Sequence, residues 1–139
     1  FTSSGLIGDD ELDTIFSCEY TKDSDVGTYV ITPTDCTFTS DVKNNYNIEY
    51  VNGTLSVYGS SYNKASKTVK IYSNHDTDVD CYVVSYAENG TLDGIKKEHC
   101  SLKADEISTI DISSLNIAEN DSIKIFLWDN NLTPVEITN

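Results

Sequence analysis

The sequence predicts an all-β chain folded as two consecutive sandwich modules, residues 1–59 and 60–139. Three observations carry that reading. Short runs of alternating apolar and polar residues follow one another, while the first half has no stretch with the 3.6-residue period of an amphipathic helix. Two Asn-Gly pairs, Asn52-Gly53 and Asn89-Gly90, each sit between such runs, which is the strongest short-range hairpin signal. After Tyr58 the chain reads Gly-Ser-Ser-Tyr-Asn-Lys-Ala, a polar stretch without periodicity that marks the boundary.

In the first module, residues 1–13 are acidic and turn-rich, with Leu6 and Leu12 as inward residues. Thr14 to Glu19 is expected as a short strand, and Tyr20 to Val26 as a charged loop ended by Gly27. Thr28-Tyr29-Val30-Ile31-Thr32 is rich in β-formers and predicts a central strand. Pro33 should end it, because proline cannot donate to a ladder. Cys36 to Thr39 reads as another strand and Asp41 to Asn45 as a turn. The closing hairpin then folds Asn47–Val51 and Thr54–Tyr58 about Asn52-Gly53 in a type I′ turn, placing Ile48, Tyr50, Leu55 and Val57 on one face.

The second module opens with Lys67 to Ser73, where Val69 and Ile71 alternate with Lys70 and Tyr72. A second hairpin runs from Val79 to Ala87, turns at Asn89-Gly90 and returns over Thr91 to Glu98. Counting outward puts Val84 opposite Ile95 and Cys81 opposite Glu98, with Cys100 one diagonal step from Cys81. Diagonal neighbours are slightly too far apart for a disulfide, so a bond would call for twist or a bulge near Gly94. Leu102 to Glu106 is a turn and Ile107 to Ile112 a strand. Ser113 to Asp121 is a loop, at most one helical turn, tucking Leu115 and Ile117 inward. Ile123 to Trp128 is apolar on both faces, which predicts a central strand.

Charge and cysteine content bound the setting. The formal net charge is −14, negative in both halves, and all nine basic residues are lysine. Such a field disfavours nucleic acid and anionic lipid as partners. Without arginine there is no bidentate fork for phosphate, so phosphoryl chemistry is not expected. No run reaches the length of a membrane span. Four cysteines divide two and two, Cys18 with Cys36 and Cys81 with Cys100. That division fits one disulfide per module in an oxidising compartment, although four cysteines allow three pairings and buried thiols are the alternative. Zinc lacks a CxxC spacing here.

Candidate chemistry is sparse. Twenty-three acids always supply some carboxylate pair, but no spacing singles one out for glycoside hydrolysis. His99 beside Cys100 fails as a base and thiol pair, since adjacent strand residues point to opposite faces. Asp76, Asp78 and Asp80 alternate and offer oxygen ligands to calcium, yet the EF-hand pattern of Gly and Glu is missing. Trp128, with Tyr62 and Phe126, offers flat aromatic faces for stacking sugars, against the alternative of a tryptophan in the core.

Two resemblances add to these readings. Ser4-Gly5-Leu6, Gly8-Asp9, Leu12, Gly27-Thr28-Tyr29-Val30-Ile31, Asn45-Tyr46-Asn47-Ile48 and Val51-Asn52-Gly53-Thr54-Leu55-Ser56-Val57 together resemble the C-terminal portion of the mostly bacterial Ig-like MBG domains over residues 4–58. Members of that family begin with a further strand carrying a YG…DP-like motif, so the first module is expected to lack its N-terminal strand, either by trimming or because another chain supplies it. Tyr86-Ala87-Glu88-Asn89-Gly90-Thr91-Leu92 and Ile123–Asn130, with Leu132 and Pro134, are similar to a β-sandwich module of Firmicutes surface proteins over residues 66–135. Together the resemblances imply two tandem Ig-like sandwiches, extracellular and non-catalytic, in a cell-surface or secreted bacterial protein. They imply a spacer, adhesion or display role, with neighbouring domains, a glycan or a host protein as partners. The competing expectation is a carbohydrate-binding module attached to a secreted glycoside hydrolase.

Overall fold

A computed structural model describes residues 1–137. The chain is all-β, with nine strands in three antiparallel three-stranded sheets and one 3-10 turn at Lys43–Asn45 among the described residues. It divides into two compact units, one of Phe1–Lys22 with Thr28–Ser56, the other of Asp23–Gly27 with the chain from Val57 onward.

The first unit holds a single sheet in the order β1-β2-β3, with β1 at Leu12–Cys18, β2 at Gly27–Phe38 and β3 at Gly53–Val57. Pro33 does not end a strand, contrary to the sequence reading. β2 runs through it for 12 residues, so the strand expected at Cys36 is its continuation. The pairing moves from Ile15 opposite Asp35 to Phe16 opposite Pro33, leaving Thr34 as the extra residue of a bulge. The missing proline N–H thus falls where the ladder is already interrupted.

The hairpin about Asn52-Gly53 does not form either. Residues 47–52 carry no strand, Gly53 opens β3, and neither Asn52 nor Gly53 has the positive φ of a type I′ turn. β3 instead pairs with β2, where Gly53 lies 3.7 Å from Ile31 Cβ when a Cβ is placed on it. Tyr46 anchors the preceding chain by stacking on Phe38 at 5.0 Å, accepting the Ile7 N–H and donating to Asp10. Those contacts hold residues 46–51 against the sheet as an unladdered flap, competing with the local turn preference.

The second unit packs two sheets over one interior. The first has the order β4-β5-β8, from Gly59–Asn63, Thr68–Tyr72 and Ile107–Asp111. The other has the order β7-β6-β9, from Leu92–Leu102, Thr77–Tyr86 and Ser122–Trp128. Val69, Ile71 and Ile110 from one sheet meet Val79, Cys81, Val83, Cys100 and Leu102 from the other, sealed by Ile112, Leu115 and Ile137. Each fully buried aliphatic chain there contributes about 1.5–3 kcal/mol relative to exposure. β4 occupies the polar stretch read from sequence as a boundary without periodicity: its residues form an edge strand whose Tyr62 packs against the core.

The β6–β7 hairpin keeps the register counted from the sequence, with Val84 opposite Ile95 and Cys81 opposite Glu98. Its turn differs. Ala87 donates to the Thr91 carbonyl, so the loop is Glu88-Asn89-Gly90, and only Gly90 has positive φ, at 82°. The additional loop residue shifts the pairing by one, and a bulge restores it where Ser85 faces Gly94 but Tyr86 faces Leu92. Asp93 is the residue left out. β9 is also placed differently from the sequence reading, at the outside of its sheet rather than its centre. Its Ile123, Ile125 and Leu127 pack on the core, and Phe126 and Trp128 face outward.

Residues Asp23–Gly27 form a clasp on the outer face of β4-β5-β8. Lys70 Nζ donates to Asp25 at 2.8 Å, Ser61 Oγ donates to the same carboxylate at 3.0 Å, and the Val26 N–H donates to Ser61 Oγ. Val26 is buried beside Gly59, and Gly27 lies against Ile107. Both glycines have positive φ, and a Cβ on Gly27 would come within 3.3 Å of Ile107 Cδ1. The Lys70 hydrogen bond holds the Asp25 carboxyl below its ordinary range.

Candidate ligand-binding face

The outer surface of the β7-β6-β9 sheet gathers the side chains with most chemical character. Alternation along β6 turns Asp80, Tyr82, Val84 and Tyr86 to the outer face and Val79, Cys81, Val83 and Ser85 to the interior, with Asp80 and Val84 themselves covered by their neighbours on the outer face. Pairing with β9 sets Trp128 beside Asp80 and Phe126 beside Tyr82, while pairing with β7 sets His99 beside Asp80 and Lys97 beside Tyr82. Three rings result: Tyr82 and Trp128 have centroids 5.1 Å apart, Phe126 and Trp128 5.9 Å apart, both pairs tilted. Trp128 is steadied by bridging to Pro134, in a turn where Asp129 accepts the Asn131 and Thr133 N–H groups.

Polar groups border the rings. Asp80 accepts a hydrogen bond from Lys97 Nζ at 2.7 Å and contacts His99 Nδ1 at 3.1 Å. The Lys97 hydrogen bond, followed by that of His99, holds the Asp80 carboxyl below its usual value, so it is ionised near neutrality. Lys97 Nζ also sits 5.4 Å from the Tyr82 ring centroid, and Lys124 Nζ 5.3 Å from that of Tyr86. Such cation–ring contacts are worth about 0.5–1 kcal/mol when exposed.

Trp128 therefore does not share a surface with Tyr62, which packs against the interior from β4. Asp76, Asp78 and Asp80 are not gathered either. Asp76 accepts from Lys103 and from the Ala104 N–H, and Asp80 is held by Lys97 and His99. No group of three or more His, Cys, Asp or Glu is placed to hold a metal ion among the described residues. Tyr82, Asp80 and Lys97 went unnoticed as a group in the sequence. The hairpin count would have placed the last two beside Tyr82, but nothing local announces the β6–β9 pairing.

The expected disulfides are not present: Cys18, Cys36, Cys81 and Cys100 are free thiols. In the first unit Cys18 lies opposite Ile31 and Cys36 opposite Thr14, four positions apart along β1, or about 13 Å. Cys36 is buried, and its bond to the Tyr50 hydroxyl raises that phenol's pKa. In the second unit Cys81 faces Glu98 and Cys100 faces Val79, and the bulge lies too near the turn to bring the two sulfurs together. Burial pushes the Cys81 thiol up to about 12, and burial also raises Cys100.

A concavity belongs to the first unit. One face of β1-β2-β3, with Leu12, Phe16, Ile31 and Phe38, borders an open groove of about 840 Å³ beneath the flap of residues 46–51. Cys36 is the one buried hydrophobic residue of that unit among those described.

Residues 1–56 match the family described as MBG domain (YGX type). Domains of that family are non-catalytic modules typical of extracellular bacterial proteins. No curated protein and no solved structure matches the chain. No helix among the described residues is long and apolar enough to cross a membrane.

Proposed function

We propose that this chain is a non-catalytic extracellular module pair of a bacterial cell-surface or secreted protein, acting as a spacer, stalk or adhesin segment. One observation carries the reading: a stretch matching a repeat-type module family is followed by a second β unit that closes its own interior. Partners in this reading are the neighbouring domains of the parent protein, a glycan or a host protein. A β-strand from another chain is a further partner for β1, whose outer edge has no neighbouring strand among the described residues. Excising the pair from its parent should shorten reach or abolish adherence while leaving surface anchoring and any enzymatic activity intact. Release of reducing sugar from polysaccharide by the isolated chain would overturn it.

A second reading is a carbohydrate-binding module attached to a secreted glycoside hydrolase. It is favoured by the clustering of Trp128 with Tyr82 and Phe126 on an outer face rather than in the interior.

A further inference from the structure

The ring cluster has a chemical bias that narrows its ligand. Tyr82, Phe126 and Trp128 are half-buried, so their positions are fixed while part of each ring stays open. Aromatic faces of this kind suit the C–H faces of pyranose rings, which are flat, weakly polar and rigid. Beside them, Asp80 is nearly covered and holds Lys97 and His99 in place, while His99, engaged through Nδ1, keeps Nε2 on the far side of its ring. Lys97 adds a donor at the border. An imidazole and an ammonium on neighbouring positions of β7 match hydroxyl groups, which both donate and accept. The chain's formal charge of −14 opposes polyanions.

We propose that the outer face of β7-β6-β9 binds a neutral polysaccharide, with Tyr82, Phe126 and Trp128 stacking on its sugar rings and His99 and Lys97, both positioned by Asp80, engaging its hydroxyls. The proposal rests on the second functional reading and gives it a site. Charge decides against acidic glycans such as polygalacturonate, and the open sheet face decides against a proline-rich peptide, which seats in an aromatic-lined groove.

Trp128 is the only tryptophan, so its fluorescence reports this face alone. The full chain is titrated with soluble β-glucan, xylan, galactomannan, polygalacturonate and polyproline, and affinity electrophoresis is run in the same polymers. The expected result is a saturable Trp128 response and retardation with at least one neutral polysaccharide. Tyr82→Ala should weaken it about tenfold, the equivalent of one stacking contact, and His99→Ala, at an exposed side chain, should weaken it with the melting curve retained. Phe126→Leu serves as a second ring variant should Tyr82→Ala unfold. Retardation unchanged by all three substitutions would remove this site but keep a carbohydrate-binding module. No response to any neutral polymer, or a response confined to polygalacturonate or polyproline, would overturn both.

Discussion

The two units bury their apolar residues very differently, although both are built from three-stranded antiparallel sheets. In the second, Val69, Ile71, Val79, Cys81, Val83 and Ile112 are at most 1% exposed. In the first, Phe1, Ile7, Ile15, Val30 and Val51 are all more than half exposed, and only Cys36 is buried. Composition does not explain the contrast, since both contain runs such as Tyr29-Val30-Ile31 and Ile123–Leu127. Layer number does. A sheet hides its apolar face only against a second layer, and the second unit places β4-β5-β8 over β7-β6-β9. The first unit has only its flap and N-terminal segment to lay over Leu12, Ile31 and Phe38.

Equivalent core truncations give the largest test of this difference. Ile71→Ala should cost the second unit about 2–5 kcal/mol, as expected of a buried isoleucine in a close-packed interior. Ile31→Ala, in the half-covered groove, should cost less than about 1.5 kcal/mol. Denaturant melts followed by Trp128 fluorescence for the second unit, and by tyrosine signals at Tyr46 for the first, separate the two. Equal losses would mean that the first unit has a closed interior after all.

Next in size is the clasp. A chain starting at Val57 lacks Asp23–Gly27 and should melt lower than the full chain when Trp128 is monitored. Val26→Ala in the full chain should reproduce about 1–3 kcal/mol of that loss. An unchanged Trp128 transition in both would show the clasp to be ornamental.

Thiol accessibility sharpens the contrast without altering stability. Under native conditions a maleimide should modify Cys18 first, because it is exposed, then Cys36 as the first unit opens locally. Cys81 and Cys100 should follow last, being sealed in the interior and, for Cys81, raised to about 12. Mass spectrometry of timed samples gives the order, and early labelling of Cys81 would contradict the ranking.

The smallest effect concerns acid. Asp25 in the clasp titrates below 3.8 when folded, so its contribution is complete above that value and declines as pH falls beneath it. Asp25→Asn should therefore lower the melting temperature near pH 7 and flatten its decline below about pH 3.8. A variant that keeps the wild-type slope would mean that the Lys70 pairing adds nothing.

The sequence revealed strands wherever alternation and β-branching coincided, as over Thr28–Thr32, Val79–Ala87 and Ile123–Trp128. It misread places where long-range pairing outweighed local preference. Asn52-Gly53 has ideal turn chemistry, but Gly53 is drawn into the ladder with β2 while Tyr46 is held by Phe38 and Asp10. Pro33 looked like a terminator because a bulge cannot be read from one strand. Gly59–Asn63 looked aperiodic because an edge strand is stabilised by backbone pairing rather than by its side chains. The ring cluster was half visible: Trp128 and Phe126 are neighbours in sequence, whereas Tyr82 joins them only through the β6–β9 register.

The β6–β7 hairpin illustrates how a strand pair can change length without scrambling its faces. Glu88-Asn89-Gly90 adds a residue at the tip, and Asp93 is set aside a few positions later. Deleting Asp93 would leave Ser85 opposite Gly94 and Tyr86 opposite Leu92 in an unbroken ladder. Insertions and deletions at this tip are thus absorbed before they reach Cys100 or His99, making it the natural place to graft an epitope or an affinity tag.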